Sequence, residues 1–346
     1  MSVPTDQDYI VPQNDSSEQL LKAEQLGQSA QDATDKREYS AALSDLHKAI
    51  QLLHTDQEVP SQRQRATLHC QLGTVYIEQG QWSEAEQSLL TCLHAARDLE
   101  HNLLACEAFV KLGQNAFKQG QFESANTYLQ DAVTLTTANE DLSGLAFARL
   151  WLGAVAALCN KFEQAEIELL EAVTVARKAD DKSTEARARN ILGENARLNG
   201  QYQAAIDHYQ EALTINESIN NRFGMTMVIH NLGHVATMMN DTEKALQYYD
   251  RSLTMAMEIN AVPAALEILA ALAEIAAKAG EFERALELLG LVYANSAAPK
   301  EALHMFADPT LAFLQKDLSA EMVESGLARG RSLEFDMVIH DMLTKK

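Results

Sequence analysis

From about residue 60 to residue 290 the apolar positions recur at helical spacing, and one arrangement of large, small and polar residues returns every 40 residues. Leu-Gly marks the register at Leu72-Gly73, Leu112-Gly113, Leu152-Gly153, Leu192-Gly193 and Leu232-Gly233, and Leu272-Ala273 keeps the phase. Thirteen residues after each leucine stands Ala85, Ala125, Ala165, Ala205, Ala245 or Ala285. A large residue follows four further on (Leu89, Leu129, Leu169, Tyr209, Tyr249, Leu289), and then usually a small one: Cys92, Ala132, Ala172, Ala212 or Ser252.

The breaks between these runs fall at Gly80, Gly120, Asn160, Gly200, Asn240 and Gly280, residue types that tolerate the left-handed conformation closing a helix. Trp82, Phe122, Phe162, Tyr202 and Phe282 follow two residues later, and polar residues near 100, 140, 180, 220 and 260 turn the chain again. Each unit is therefore expected to be two antiparallel helices joined by a tight turn. A glycine inside a helix costs about 1 kcal/mol relative to alanine. Gly193 is accordingly read as a packing position where backbones approach, with Ala205 and Ala212 receiving the facing side chains.

The Leu, Gly, Ala, aromatic, Ala pattern resembles the tetratricopeptide repeat (TPR) over residues 16–296, with a period of 40 in place of about 34. The proline usual at the end of the second helix is missing from every unit. Long-period arrays of this kind are similar to the sensor arrays of maltose-regulator-like bacterial signalling proteins. The resemblance implies an all-α, right-handed α-solenoid of about seven TPR-like hairpins. Its repeats are expected at about 16–55, 60–98, 101–139, 141–179, 181–219, 221–259 and 261–296, with a disordered tail over 1–15 and a helical cap over 297–346. The first unit is offset by 43 residues, which puts three extra residues in the loop around TDQEVPSQ. In the cap, LARGRSLEFDMVIHDML resembles the end of those sensor arrays, where a Gly-Arg turn precedes a last short helix.

In such arrays the first helices line a concave face, so the resemblance implies that contacts with a partner come from fixed positions around the signature leucine. These give Gln71, then Lys111 and Gln114, then Phe147 and Leu150 as an apolar patch. Arg187, Asn190, Glu194 and Arg197 follow, then Met227, His230, Asn231 and His234, and last Glu274. Amides that pair with a peptide backbone beside an apolar centre suit an extended or helical peptide. The competing reading is that the aromatics merely pack against neighbouring helices. Cys70 falls on the same face, and Cys92 is a small core residue.

Charge and motifs narrow the function. A formal charge of −21, from 49 acidic and 28 basic residues, repels phosphate backbones and anionic membranes, so neither nucleic acid nor membrane is an expected partner. The start, MSVPTDQDYIVPQNDSS, lacks a signal-peptide pattern, no apolar run reaches about 18 residues, and the four cysteines form no CxxC pair. A soluble cytoplasmic protein with reduced cysteines is expected. No phosphate-binding, dinucleotide or nucleophile-elbow motif is present, so no cofactor and no catalytic residue is assigned.

The expected function is a non-enzymatic scaffold or adaptor that captures a protein or peptide partner. One alternative is a ligand- or peptide-sensing module of a bacterial regulator acting through a separate effector. A remote alternative is a metal-dependent hydrolase using His230 and His234, four apart on one helical face, with Glu194 and Glu274. An imperfect cap would let the ends of two arrays stack, a weak route to a homo-oligomer.

Overall fold

The computed structural model describes residues 15–36, 38–299 and 302–344. Residues 1–14 of the expected tail lie outside them. The described chain is helical, without strands, and divides into two compact units, Met1–Cys159 and Asn160–Lys346. No helix among the described residues is long and apolar enough to cross a membrane.

The first unit holds α1 (Asp15–Asp35), α2 (Tyr39–Leu52), α3 (Val59–Glu78), α4 (Trp82–Asp98), α5 (Asn102–Lys118), α6 (Phe122–Ala138) and α7 (Leu142–Leu158). Successive helices pack on one another, and α1, α3, α5 and α7 also touch in sequence, as the first helices of stacked hairpins do. The connection from α2 to α3 is longer than the others by the three residues the offset demands.

The second unit holds α8 (Phe162–Lys178), α9 (Lys182–Leu198), α10 (Tyr202–Ser218), α11 (Arg222–Met238), α12 (Thr242–Glu258), α13 (Val262–Lys278) and α14 (Phe282–Ala294). Beyond them come a π-helical turn (Leu303–Ala307), α15 (Asp308–Asp317), α16 (Ala320–Arg331) and α17 (Phe335–Thr344). The architecture is an all-α solenoid of TPR-like hairpins closed by helices.

A half-period of 20 residues explains the regularity. From α4 to α13 every helix has 17 residues. Each break places one residue in the left-handed region, including Gly80 (φ +71°) and Gly200 (φ +72°) within hairpins and Glu140 (φ +56°) and Asn220 (φ +53°) between them. At the first break the Gln81 N–H donates to the Tyr76 carbonyl (2.9 Å) and the Gly80 N–H to that of Ile77 (3.1 Å), the Schellman pattern that satisfies the last helical carbonyls. The opposite ends are capped where Asp141, Asp181, Asn221 and Asp241 accept from backbone N–H groups of the first turn.

The signature glycines face large side chains, where the sequence suggested an approach of backbones. A Cβ on Gly193 would stand 2.5 Å from Tyr209 Cε1, and one on Gly73 would stand 2.5 Å from Leu89 Cγ. The buried rings and leucines of the second helix thus fill the space that the first helix vacates. Backbones do meet at the C-terminal end: a Cβ on Gly330 would come 2.1 Å from the Glu287 carbonyl oxygen, and one on Gly290 would come 2.3 Å from that of Leu327. Gly330 and Arg331 are accordingly the last residues of α16, packed on α14, and do not form the expected Gly-Arg turn.

Candidate ligand-binding face

In the first unit the predicted face is largely self-packed. Gln71 is half-buried, and its Oε1 lies against Gly27 of α1, 3.3 Å from where a Cβ would stand. Lys111 is half-buried on α5, and Gln114 is buried there with no hydrogen-bond partner for its Oε1. Leu150 is fully enclosed in the core and presents no surface. Phe147 is half-buried and meets Trp151 edge-on at 6.2 Å, and Trp151 meets Phe117 of α5 edge-on at 5.1 Å. The aromatic patch therefore forms a chain of interlocked rings between neighbouring first helices. Cys70 is buried, not on the face, and its hydrogen bond with Cys92 together with burial pushes the thiol well up.

The second unit brings more of the predicted residues together. Asn231 of α11 donates through Nδ2 to Asn190 Oδ1 of α9 at 3.0 Å, and both amides remain half-buried. Arg187 is exposed one turn before Asn190. One turn further along α9, Glu194 accepts from Arg197 Nε (3.1 Å) and Nη2, and from the Tyr209 hydroxyl (3.1 Å). Arg197 is only 5% exposed, so its guanidinium is withdrawn into the wall by that pairing. Met227 is half-buried against the core of the last hairpins, and Glu274 is paired with Lys278 Nζ at 2.6 Å.

The two histidines do not line an open face. The side chain of Phe306, from the π-helical turn packed on α13, lies 4.8 Å from the His234 ring and 5.7 Å from that of His230, and is itself 1% exposed. Tyr249 closes the other side of His230, edge-on at 5.5 Å. Burial pushes both imidazoles down to about 3, helped by His234 and Arg197 around His230 and by Arg197 and Lys278 around His234. Both rings are therefore neutral at ordinary pH.

That arrangement removes the metal reading. Glu194 is engaged by Arg197, Glu274 by Lys278, and a phenyl ring covers the imidazoles. Among the described residues no group of three or more histidine, cysteine, aspartate or glutamate side chains is placed to hold a metal ion. The residue that sequence reasoning missed is Phe306. Leu303 and Ala307 extend upstream the helical spacing of Leu311, Leu314 and Leu318, but Phe306 lies off that stripe, so the spacing marked a helix there and not this ring.

A family model described as tetratricopeptide repeat matches residues 63–138 and 145–218, and a second model of the same description matches residues 228–260. Curated proteins give no significant match in sequence. Among solved structures, a Rap protein complexed with competence and sporulation factor is similar at TM-score 0.64 and 15% identity, over 95% of this chain and 99% of that one. The Rap conjugation gene regulator of plasmid pLS20, in complex with the Phr* peptide, gives 0.61 and 16%, over 96% and 83%. A signal-transduction ATPase with a tetratricopeptide-repeat sensor from Pyrococcus horikoshii gives 0.55 and 14%, over 90% of this chain and 54% of that one.

Proposed function

The chain belongs to the tetratricopeptide-repeat family, and on that premise we propose that it is a non-catalytic scaffold that captures a peptide segment of a partner on the first-helix face of its second unit. The observation that carries this reading is the Asn190–Asn231 pair, two half-buried amides laid side by side on consecutive first helices. One hydrogen bond between them leaves Asn190 Nδ2 and Asn231 Oδ1 to donate to and accept from an incoming backbone. Arg187, exposed beside them, gives an acidic side chain of the peptide a charged partner. Two of the structures with this fold were solved with a bound peptide or signalling factor, which supports the same use here.

The test is affinity capture from host lysate with the full-length chain as bait, against an Asn190→Ala/Asn231→Ala chain whose helicity by circular dichroism matches the wild type. Loss of the captured partner, at least tenfold, is expected from the double substitution. A folded double variant that captures the same partner equally well refutes the assignment.

A further inference from the structure

Phe306 comes from beyond the last repeat, yet it is as completely enclosed as any core ring, and two of the side chains that enclose it are inner-face residues of α11. Its seat consists of the edges and faces of His230 and His234, with Tyr249 behind His230, a setting that accepts an aromatic ring edge-on. The segment delivering it does so in a π-helical turn, a rare backbone form that is frequent at functional sites. It also leaves Met305 46% and Phe313 42% exposed on either side. A cavity of about 150 Å³ opens beside the ring, lined by Glu274, Lys278, Met305, Phe306, Thr310 and Phe313. Thr310 Oγ1 is buried there without a hydrogen-bond partner. His234 lies three residues, one helical turn, after Asn231, so the seat continues the face that carries the amide pair.

We propose that the seat of Phe306 is the aromatic-anchor subsite of this face, and that the chain's own segment Ala302–Asp317 occupies it until a partner peptide bearing an aromatic side chain displaces it. The proposal rests on the peptide-binding reading and adds to it both the chemical class of the anchor and an intramolecular competitor. The competitor is tethered, so its effective concentration is high and a free peptide wins either in large excess or by gaining contacts elsewhere on the face. A segment that served only to cap the last repeat would instead stay in place whatever peptide was added.

The probe is the synthetic peptide of residues 302–317, ALHMFADPTLAFLQKD, added to full-length chain in which Phe306→4-fluorophenylalanine supplies a single fluorine. Saturating peptide is expected to move the fluorine resonance to a solvent-exposed position and to shift the His230 and His234 ring signals. The same peptide with alanine at the position of Phe306 is expected to do neither. Fluorescein-labelled peptide is expected to bind full-length Phe306→Ala at least tenfold more tightly than wild type, because the competitor has lost its anchor. Equal affinity for the two chains, equal effects of the two peptides, or an unmoved fluorine at saturation overturns the proposal. Should Phe306→Ala fail to fold, the fluorine measurement decides alone. Ring displacement that persists in the Asn190→Ala/Asn231→Ala chain supports the subsite while counting against the amide pair, which separates this proposal from the reading it builds on.

Discussion

Acidification from pH 7 to pH 5 tests the burial of His230 and His234 directly. In the folded chain burial holds both imidazoles at about 3, whereas in the unfolded chain they titrate at the ordinary imidazole value of 6.5. Below pH 6.5 the unfolded state binds protons that the folded state refuses, so stability is full above that value and falls as pH drops towards 3. The slope is about 1.4 kcal/mol per pH unit for each histidine, which integrates to about 2 kcal/mol per ring between pH 7 and pH 5 and about 4 kcal/mol for the pair. His234 is less enclosed than His230 and sets the lower side of that figure. Glu194, the one acidic group acting on His230, opposes the shift, and Arg197 and Lys278 reinforce it. The assay is urea unfolding at both pH values for wild type and for His230→Gln/His234→Gln, following hydrogen exchange of α11 and α13 amides so that the second unit is read by itself. The wild type is expected to lose about 4 kcal/mol more than the double variant between the two conditions. Parallel pH dependence of the two chains would show that the rings are solvated, and the Phe306 seat would fall with them.

Three further outcomes follow from the packing. Gly193→Ala drives a methyl group to 2.5 Å from the fully buried Tyr209 ring, and should cost about 1–3 kcal/mol by denaturant titration, as overpacking does. Glu140→Gly relieves a side chain held at φ +56°; the melting temperature should rise, by a gain of at most about 1 kcal/mol, since glycine also loosens the unfolded chain. Asn115→Ala removes the bond from Nδ2 to the Trp82 carbonyl (3.0 Å) that ties α5 to the start of α4, and should cost about 1–2 kcal/mol, read as faster amide exchange in both helices.

The repeat was legible because each unit must solve the same problem with the same residues. A left-handed residue every 20 positions, a glycine opposite a large side chain and an alanine at each closest approach leave a period that needs no structure to detect. What the sequence could not convey was the partner of each glycine. Leucine and tyrosine occupy one register, Leu89, Leu129, Tyr209 and Tyr249, and only coordinates show that register filling the glycine notch. A second tie escaped for the same reason. Asn115 and Asn195 stand three after their signature leucines, and each donates to the carbonyl of the aromatic 33 residues earlier, Trp82 or Phe162. A polar residue in an apolar helix reads as a surface position until its buried acceptor is seen.

The site was legible only where a position's direction decides its environment. Counting from the leucine located Asn190 and Asn231 on facing turns of α9 and α11, because both belong to the repeat. The same counting failed for His230 and His234, since what covers them comes from outside the periodic part of the chain. Position within a repeat specifies which way a side chain points, and it carries no information about a segment that obeys no repeat. In an array like this one, availability of a face is therefore decided by the non-repeating ends. Aspartate and proline in that stretch would otherwise pass for linker chemistry, yet ALHMFADPTLAFLQKD places a phenylalanine against the two imidazoles of α11.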